Sequence, residues 1–245
     1  MFSRLRGLFH RQLLSENKKI SFPSGRTWFD LRRIILKKYL KTNVIPFIVE
    51  TVFIVSCIFI PQRYSIYTNF LFYVSLLIYI VAIKAFSIKT WIENMKSGRE
   101  FWLPVIITMI FFAAAFAATV FLENSFPQFE TGTIMLSTGG LAEIILFAAS
   151  TILLPPVVEE IIYRKNMIAL ESRGAVIVTA FLSMLFFALE HALRLWGIAL
   201  TMLWALPLSV SYIKTKNIYV PMTAHFIANL LGNGLTVIAA VKALL

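Results

Sequence analysis

The chain has 245 residues, of which 59% are hydrophobic and 14% charged, with a mean hydropathy of +0.80 and a formal net charge of +11. Soluble domains carry about 25% charged residues, so this composition excludes an ordinary soluble domain and points to one polytopic membrane domain. The single cysteine, Cys57, excludes an intrachain disulfide and a thiolate metal cluster.

The charge is concentrated at the N-terminus. Residues 1–42 hold eleven of the 23 Lys/Arg against two acids, Glu16 and Asp30. Helically spaced apolar residues interleave with these bases: Phe2, Leu5, Phe9 and Leu13 in one stripe, Trp28, Leu31, Ile35 and Tyr39 in another. Residues 1–43 therefore read as a basic amphipathic segment on an anionic leaflet, or as a solvated leader that serves only topology. A nucleic-acid arm is not the expected use. The pattern of a cleavable signal peptide is not seen at the N-terminus.

From residue 44 on, apolar segments of membrane length recur, and the predicted fold is an all-α transmembrane bundle of about seven spans. They are expected near 44–60, 69–88, 102–122, 138–163, 175–193, 197–213 and 218–240. The first closes at Pro61 and carries Glu50. The loop 89–101 holds Lys89, Lys96 and Arg99, with Trp91 and Trp102 as interfacial aromatics, whereas 123–137 holds Glu123 and Glu130 and no base. Basic residues alternate along the loops, which predicts a cytoplasmic N-terminus and, with seven spans, an outside C-terminus. The transmembrane domain is expected over 44–245, with the catalytic core at about 138–240. The sequence shows no internal repeat.

Three polar constellations interrupt the later segments. The first is Pro155-Pro-Val-Val-Glu-Glu-Ile-Ile-Tyr-Arg164. One charge near the bilayer centre costs on the order of 3 kcal/mol, and two adjacent carboxylates also repel. On a helix, Glu160 and Arg164 share a face at i,i+4, so Arg164 neutralises part of the pair. Neighbouring carboxyls that share a proton suit a general base; the plain alternative is a buried ion pair that fixes helix packing. The second constellation is Phe187-Ala-Leu-Glu-His191, where a lone histidine in an apolar helix serves packing as often as chemistry. Adjacent helical residues point in different directions, so a Glu190–His191 pair is not expected. The third is His225-Phe-Ile-Ala-Asn229, with imidazole and amide on one face. Together they offer two donors to a developing oxyanion, or simply hold helices together. If the fourth and fifth segments turn near Gly174, Glu159 lies 15 residues before the turn and His191 17 after it, at nearly the same depth. Arg194 and Trp196 follow closely, as though that helix ended soon after His191.

Glu-Glu-x-x-x-Arg, Phe-x-x-x-His and His-x-x-x-Asn, in that order on successive apolar segments, resemble the CAAX-prenyl-protease and bacteriocin-processing (CPBP) family of intramembrane proteases. The matching residues are Glu159, Glu160, Arg164, Phe187, His191, His225 and Asn229, within about 155–233. The resemblance implies hydrolysis of a peptide bond in a membrane-associated peptide or protein substrate. It implies Glu159 as general base, His191 as the residue that positions the water, Glu160 and Arg164 as the pair that sets the geometry of Glu159, and His225 and Asn229 as oxyanion donors. A zinc ion held by His191, His225 and Glu159 is the other arrangement; the residues leave both open, and the metal-free one is preferred. Short loops and the basic leader look bacterial, which favours a small peptide precursor or a regulatory membrane protein as substrate. The rival reading is a non-catalytic membrane partner of the same fold, such as an immunity or sensor protein. A transporter is the weaker rival, because no inverted repeat is seen.

Overall fold

The computed structural model describes residues 28–136 and 138–244, with side chains from residue 40. Helix α1 spans Trp28–Phe59, α2 Ser65–Ala82, α3 Ile88–Lys96 and α4 Arg99–Ser125. Helix α5 spans Leu141–Asn166, α6 Arg173–Leu189, α7 Leu195–Thr215 and α8 Tyr219–Leu244. Among the described residues there is no strand, only one isolated bridge, between Thr133 and Ala192. The all-α expectation holds.

Among the described residues, six helical stretches are long and apolar enough to cross a membrane: Leu40–Phe59, Gln62–Ala82, Arg99–Ser125, Leu141–Asn166, Leu195–Thr215 and Tyr219–Leu244. Helix α6 is apolar but shorter, which accounts for the difference from the expected seven. Its end at Leu189, ahead of His191, is the early stop that Arg194 and Trp196 foreshadow. The loop expected over 89–101 contains α3, whose N-cap Ser87 accepts a hydrogen bond from the Thr90 amide at 3.2 Å.

The chain divides into a unit of residues 1–40 and a compact unit of residues 41–245. Helix α1 runs through the expected boundary at residue 43 without a break. The expected stripe from Phe2 to Leu13 lies outside the described residues. In the compact unit, Phe72, Leu76, Val158, Ile161, Phe187 and Met222 fill a buried core. Large apolar side chains such as Phe111, Phe121, Ile177 and Leu235 stand exposed, as expected of surfaces that face lipid. The protein is a multi-pass membrane protein.

Helix α5 is the irregular one, and its sequence explains why. Pro155 and Pro156 have no N–H, so carbonyls one turn earlier lose their helical partners. The backbone responds with a π-helical stretch over Ala149–Leu153. Neighbouring helices supply the missing donors. The Asn233 amide on α8 donates to the Thr151 carbonyl at 3.0 Å, and the Asn69 amide on α2 reaches the Ser150 carbonyl at 3.5 Å. A second π-helical stretch, Glu160–Asn166, begins at the acidic pair. Two loosened turns thus bracket Glu159.

Candidate active site

Glu159 and Glu160 point into the centre of the compact unit and are 1% and 0% exposed. They face opposite partners. The Tyr73 hydroxyl on α2 donates to Glu159 Oε1 at 2.5 Å, while Glu159 Oε2 accepts no hydrogen bond among the described residues. Glu160 Oε1 lies 3.3 Å from an Arg164 guanidinium nitrogen, as the i,i+4 spacing predicts. The same oxygen lies 2.9 Å from His225 Nδ1 on α8. Arg164 is fully buried, and its guanidinium carbon stands 4.4 Å from the centre of the Phe187 ring. A charged group so far from water needs both contacts, the carboxylate and the ring face.

The imidazole of His225 therefore stands between the two acids. Its Nδ1 is on Glu160 and its Nε2 lies 3.7 Å from Glu159 Oε2. Asn229, one turn further along α8, is half-buried.

His191 sits in the turn after α6, not within the helix. Its Nδ1 is 2.8 Å from the Phe187 carbonyl, to which it donates, leaving Nε2 as the acceptor of a neutral ring. Phe187 stacks on the imidazole at 4.5 Å between ring centres, and Trp204 of α7 meets it edge-on at 5.7 Å. The backbone around it is pinned from outside. The Ile134 amide donates to the His191 carbonyl at 2.9 Å and the Leu193 amide to the Gly132 carbonyl at 3.0 Å. Gly132 has φ 59°, and a Cβ there would come within 2.5 Å of Arg194. At Gly197 a Cβ would meet the Thr131 carbonyl oxygen at 2.1 Å, so this approach requires glycine. With 27% of its side chain exposed, His191 is the accessible edge of an otherwise buried cluster.

Glu159 and His191 come together, as their similar depth predicts, and His225 joins Glu159 at 3.7 Å. One expectation fails. Glu190 was not expected to reach His191, yet its Oε1 lies 3.7 Å from His191 Nδ1. The rule that separates adjacent residues applies within a helix, and here the helix has ended, so the turn carries both side chains to the same side. Tyr73, Tyr163 and Glu190 are site neighbours that no motif spacing reveals. An acid directly beside the motif histidine was the available signal for Glu190.

Glu159, Glu190 and His191 offer ligand atoms that lie within 4.8 Å of one another. Two carboxylates and an imidazole, with Glu159 Oε2 and Glu190 Oε1 accepting no hydrogen bond among the described residues, fit a divalent cation. His225, part of the set expected from sequence, lies outside this group of three, with Nδ1 on Glu160 and Nε2 3.7 Å from Glu159 Oε2.

No curated protein and no solved structure matches this chain. Residues 140–231, which contain every motif residue from Glu159 to Asn229, match the family model for type II CAAX prenyl endopeptidase Rce1-like proteins, in agreement with the resemblance that those motifs carry.

Proposed function

We propose that this protein is an intramembrane endopeptidase that hydrolyses a peptide bond of a membrane-associated peptide or protein with a glutamate-activated water. The observation that carries this is the state of Glu159: one oxygen is fixed by Tyr73 at 2.5 Å, and the other is buried, without a hydrogen bond, and faces His225 Nε2 at 3.7 Å. A carboxylate held by one oxygen and free at the other is suited to take a proton from water.

In this mechanism His191, with Nε2 as acceptor, and Glu159 orient the water. Glu159 takes its proton as the oxygen adds to the carbonyl carbon. The oxyanion accepts hydrogen bonds from His225 and Asn229. The C–N bond then breaks, and the amine leaves with the proton that Glu159 held. Glu160, with Arg164 beside it, orients His225 through the 2.9 Å contact at Nδ1.

A divalent cation bound by Glu159, Glu190 and His191 is the second reading, favoured by the 4.8 Å grouping of their ligand atoms. When bound, such an ion supplies a more acidic water and polarises the carbonyl.

The test uses purified full-length protein in liposomes containing anionic lipid, with two probes: a farnesylated C-terminal CAAX peptide and an unmodified apolar peptide. Mass spectrometry should find products with at least one probe from the wild type and none from Glu159→Gln. Equal product from both proteins would overturn the peptidase reading.

A further inference from the structure

Residues 132–135 run beside the turn that carries His191. Thr133 and Ala192 form an antiparallel bridge, closed by the Ile134 N–H on the His191 carbonyl at 2.9 Å and the Leu193 N–H on the Gly132 carbonyl at 3.0 Å. In an antiparallel pair, a residue flanked by two such bonds turns its own N–H and carbonyl to the opposite edge. Thr133 is that residue. It is exposed, and among the described residues its N–H donates to no backbone carbonyl. An edge of this kind is a template for one more strand. It is also held in place, because the close approaches at Gly132 and Gly197 leave no space for a Cβ.

The same residues form one wall of a cavity of about 220 Å³. Opposite them stand Ser56 and Cys57 near the end of α1, and Ser65 and Thr68 at the start of α2. Among the described residues no charged side chain lines this cavity, so a charged occupant meets no counter-charge there. Pockets that enclose whole small molecules measure roughly 300–1,000 Å³, so this one has room for one or two side chains rather than a complete ligand. An open main-chain edge beside a pocket of side-chain size is the arrangement that recognises an extended peptide.

Both walls lead to the site. Ile134, next to Thr133, is bonded to the His191 carbonyl, and paired strands lie about 4.8 Å apart. On α2, Thr68 precedes Tyr73 by about 7.5 Å along the helix axis, and the Tyr73 hydroxyl is on Glu159. An extended chain at about 3.3 Å per residue covers such a distance in two or three residues.

We propose that the edge at Thr133 and the adjoining cavity form a substrate-docking subsite. An extended, uncharged stretch of the substrate, two or three residues from the bond to be cleaved, adds as a strand to residues 132–135 and places a side chain between them and the helices α1 and α2. That the docked segment is a substrate rests on the peptidase reading; that it docks here does not.

Cys57 is the only cysteine of the chain and lines the cavity, so a thiol reagent reports on this place alone. Full-length wild-type protein and Glu159→Gln, in liposomes, are treated with N-ethylmaleimide with and without each probe peptide of the cleavage test, and the adduct is followed by intact-mass spectrometry. The free protein should be modified, and a probe at about ten times its Kd should slow the reaction roughly tenfold, in step with the unoccupied fraction. In a set of probes each N-methylated at one backbone amide, alternate positions should lose protection, with binding roughly 5–100-fold weaker for want of a main-chain hydrogen bond. Thr68→Phe, which fills the cavity from α2, should raise KM for a cleaved probe more than it lowers kcat. Cys57 that does not react in the free protein, or that reacts as fast with both probes as without them, overturns the docking site; cleavage by the wild type in the same preparation keeps the peptidase reading standing. Equal protection by every N-methylated probe overturns the strand pairing. Protection without cleavage by the wild type overturns the peptidase reading instead and supports the docking site.

Discussion

His225 Nδ1 lies 2.9 Å from Glu160 Oε1, across 65 residues of sequence and from a different helix. The same oxygen lies 3.3 Å from Arg164, and a carboxylate oxygen accepts, so the imidazole donates through Nδ1. A neutral ring so oriented has only a lone pair at Nε2. To donate to an oxyanion, His225 must carry the second proton, and Glu160 is the counter-ion that permits it. Glu160→Gln should therefore behave as loss of an oxyanion donor, roughly 10²–10³-fold in kcat with KM nearly unchanged. Steady-state kinetics on the folded variant checks this. A change confined to thermal stability would assign Glu160 to packing alone.

Arg164 answers to a different test. Its side chain is fully buried, so Arg164→Ala strands the Glu160 carboxylate without its cation. Removing one partner of a buried pair costs about 3–5 kcal/mol, and expression and melting temperature should both fall. Adding Glu160→Gln to Arg164→Ala removes the stranded charge and should recover folding but not turnover. Melting curves of the single and double variants decide it.

Much of this arrangement was legible in the sequence because intramembrane charge is costly. The pair Glu159 and Glu160 stands out just after the apolar run from Leu141 to Leu154, and i,i+4 spacing pairs Glu160 with Arg164 correctly. The fold class follows from composition and segment length. What was hidden depends on departures from regular helix. Glu190 meets His191 because α6 stops at Leu189. Asn233 and Asn69 matter because Pro155 and Pro156 open carbonyls that only tertiary neighbours can satisfy. Tyr73 and Tyr163 are ordinary aromatics in sequence and become site residues through contacts 86 and 27 positions away. Periodicity gives faces, not partners.

Metal dependence has a direct readout. With a metal-free mechanism, activity survives strong chelation, and the purified protein carries far less than one metal per chain by elemental analysis. If a cation is resident, Glu190→Gln and His191→Ala should each lower the metal content of the isolated protein. His225→Ala should not, because His225 lies outside the group of Glu159, Glu190 and His191.

The alternating loop charge predicts orientation. Reporter fusions should place residue 1 and the regions near 95, 170 and 215 in the cytoplasm, and residues 128 and 245 outside. Helix α6 is the decisive element, being shorter than the six stretches of spanning length. If α6 does not cross, fusions at 215 and 245 change sides relative to this prediction, while those at 95 and 128 do not.

The final prediction separates the base from the oxyanion donors. Glu159→Gln keeps the size of the side chain and its hydrogen bond from Tyr73, observed at 2.5 Å, but removes the proton acceptor. General-base assistance is worth about 10²–10⁴-fold, and turnover should fall at least that far while insertion and melting temperature stay close to wild type. Asn229→Ala removes one donor from a half-buried position one turn beyond His225. Its loss should be roughly 10²–10³-fold, in kcat more than in KM. The two effects should not multiply in the double variant if base and oxyanion donors act in one rate-limiting addition step, because residues that act as a unit are not additive. Near-wild-type cleavage by Glu159→Gln would remove the base from the mechanism. Misfolding of Glu159→Gln and Asn229→Ala together with Arg164→Ala would instead mark the whole cluster as an ion network that holds the helices.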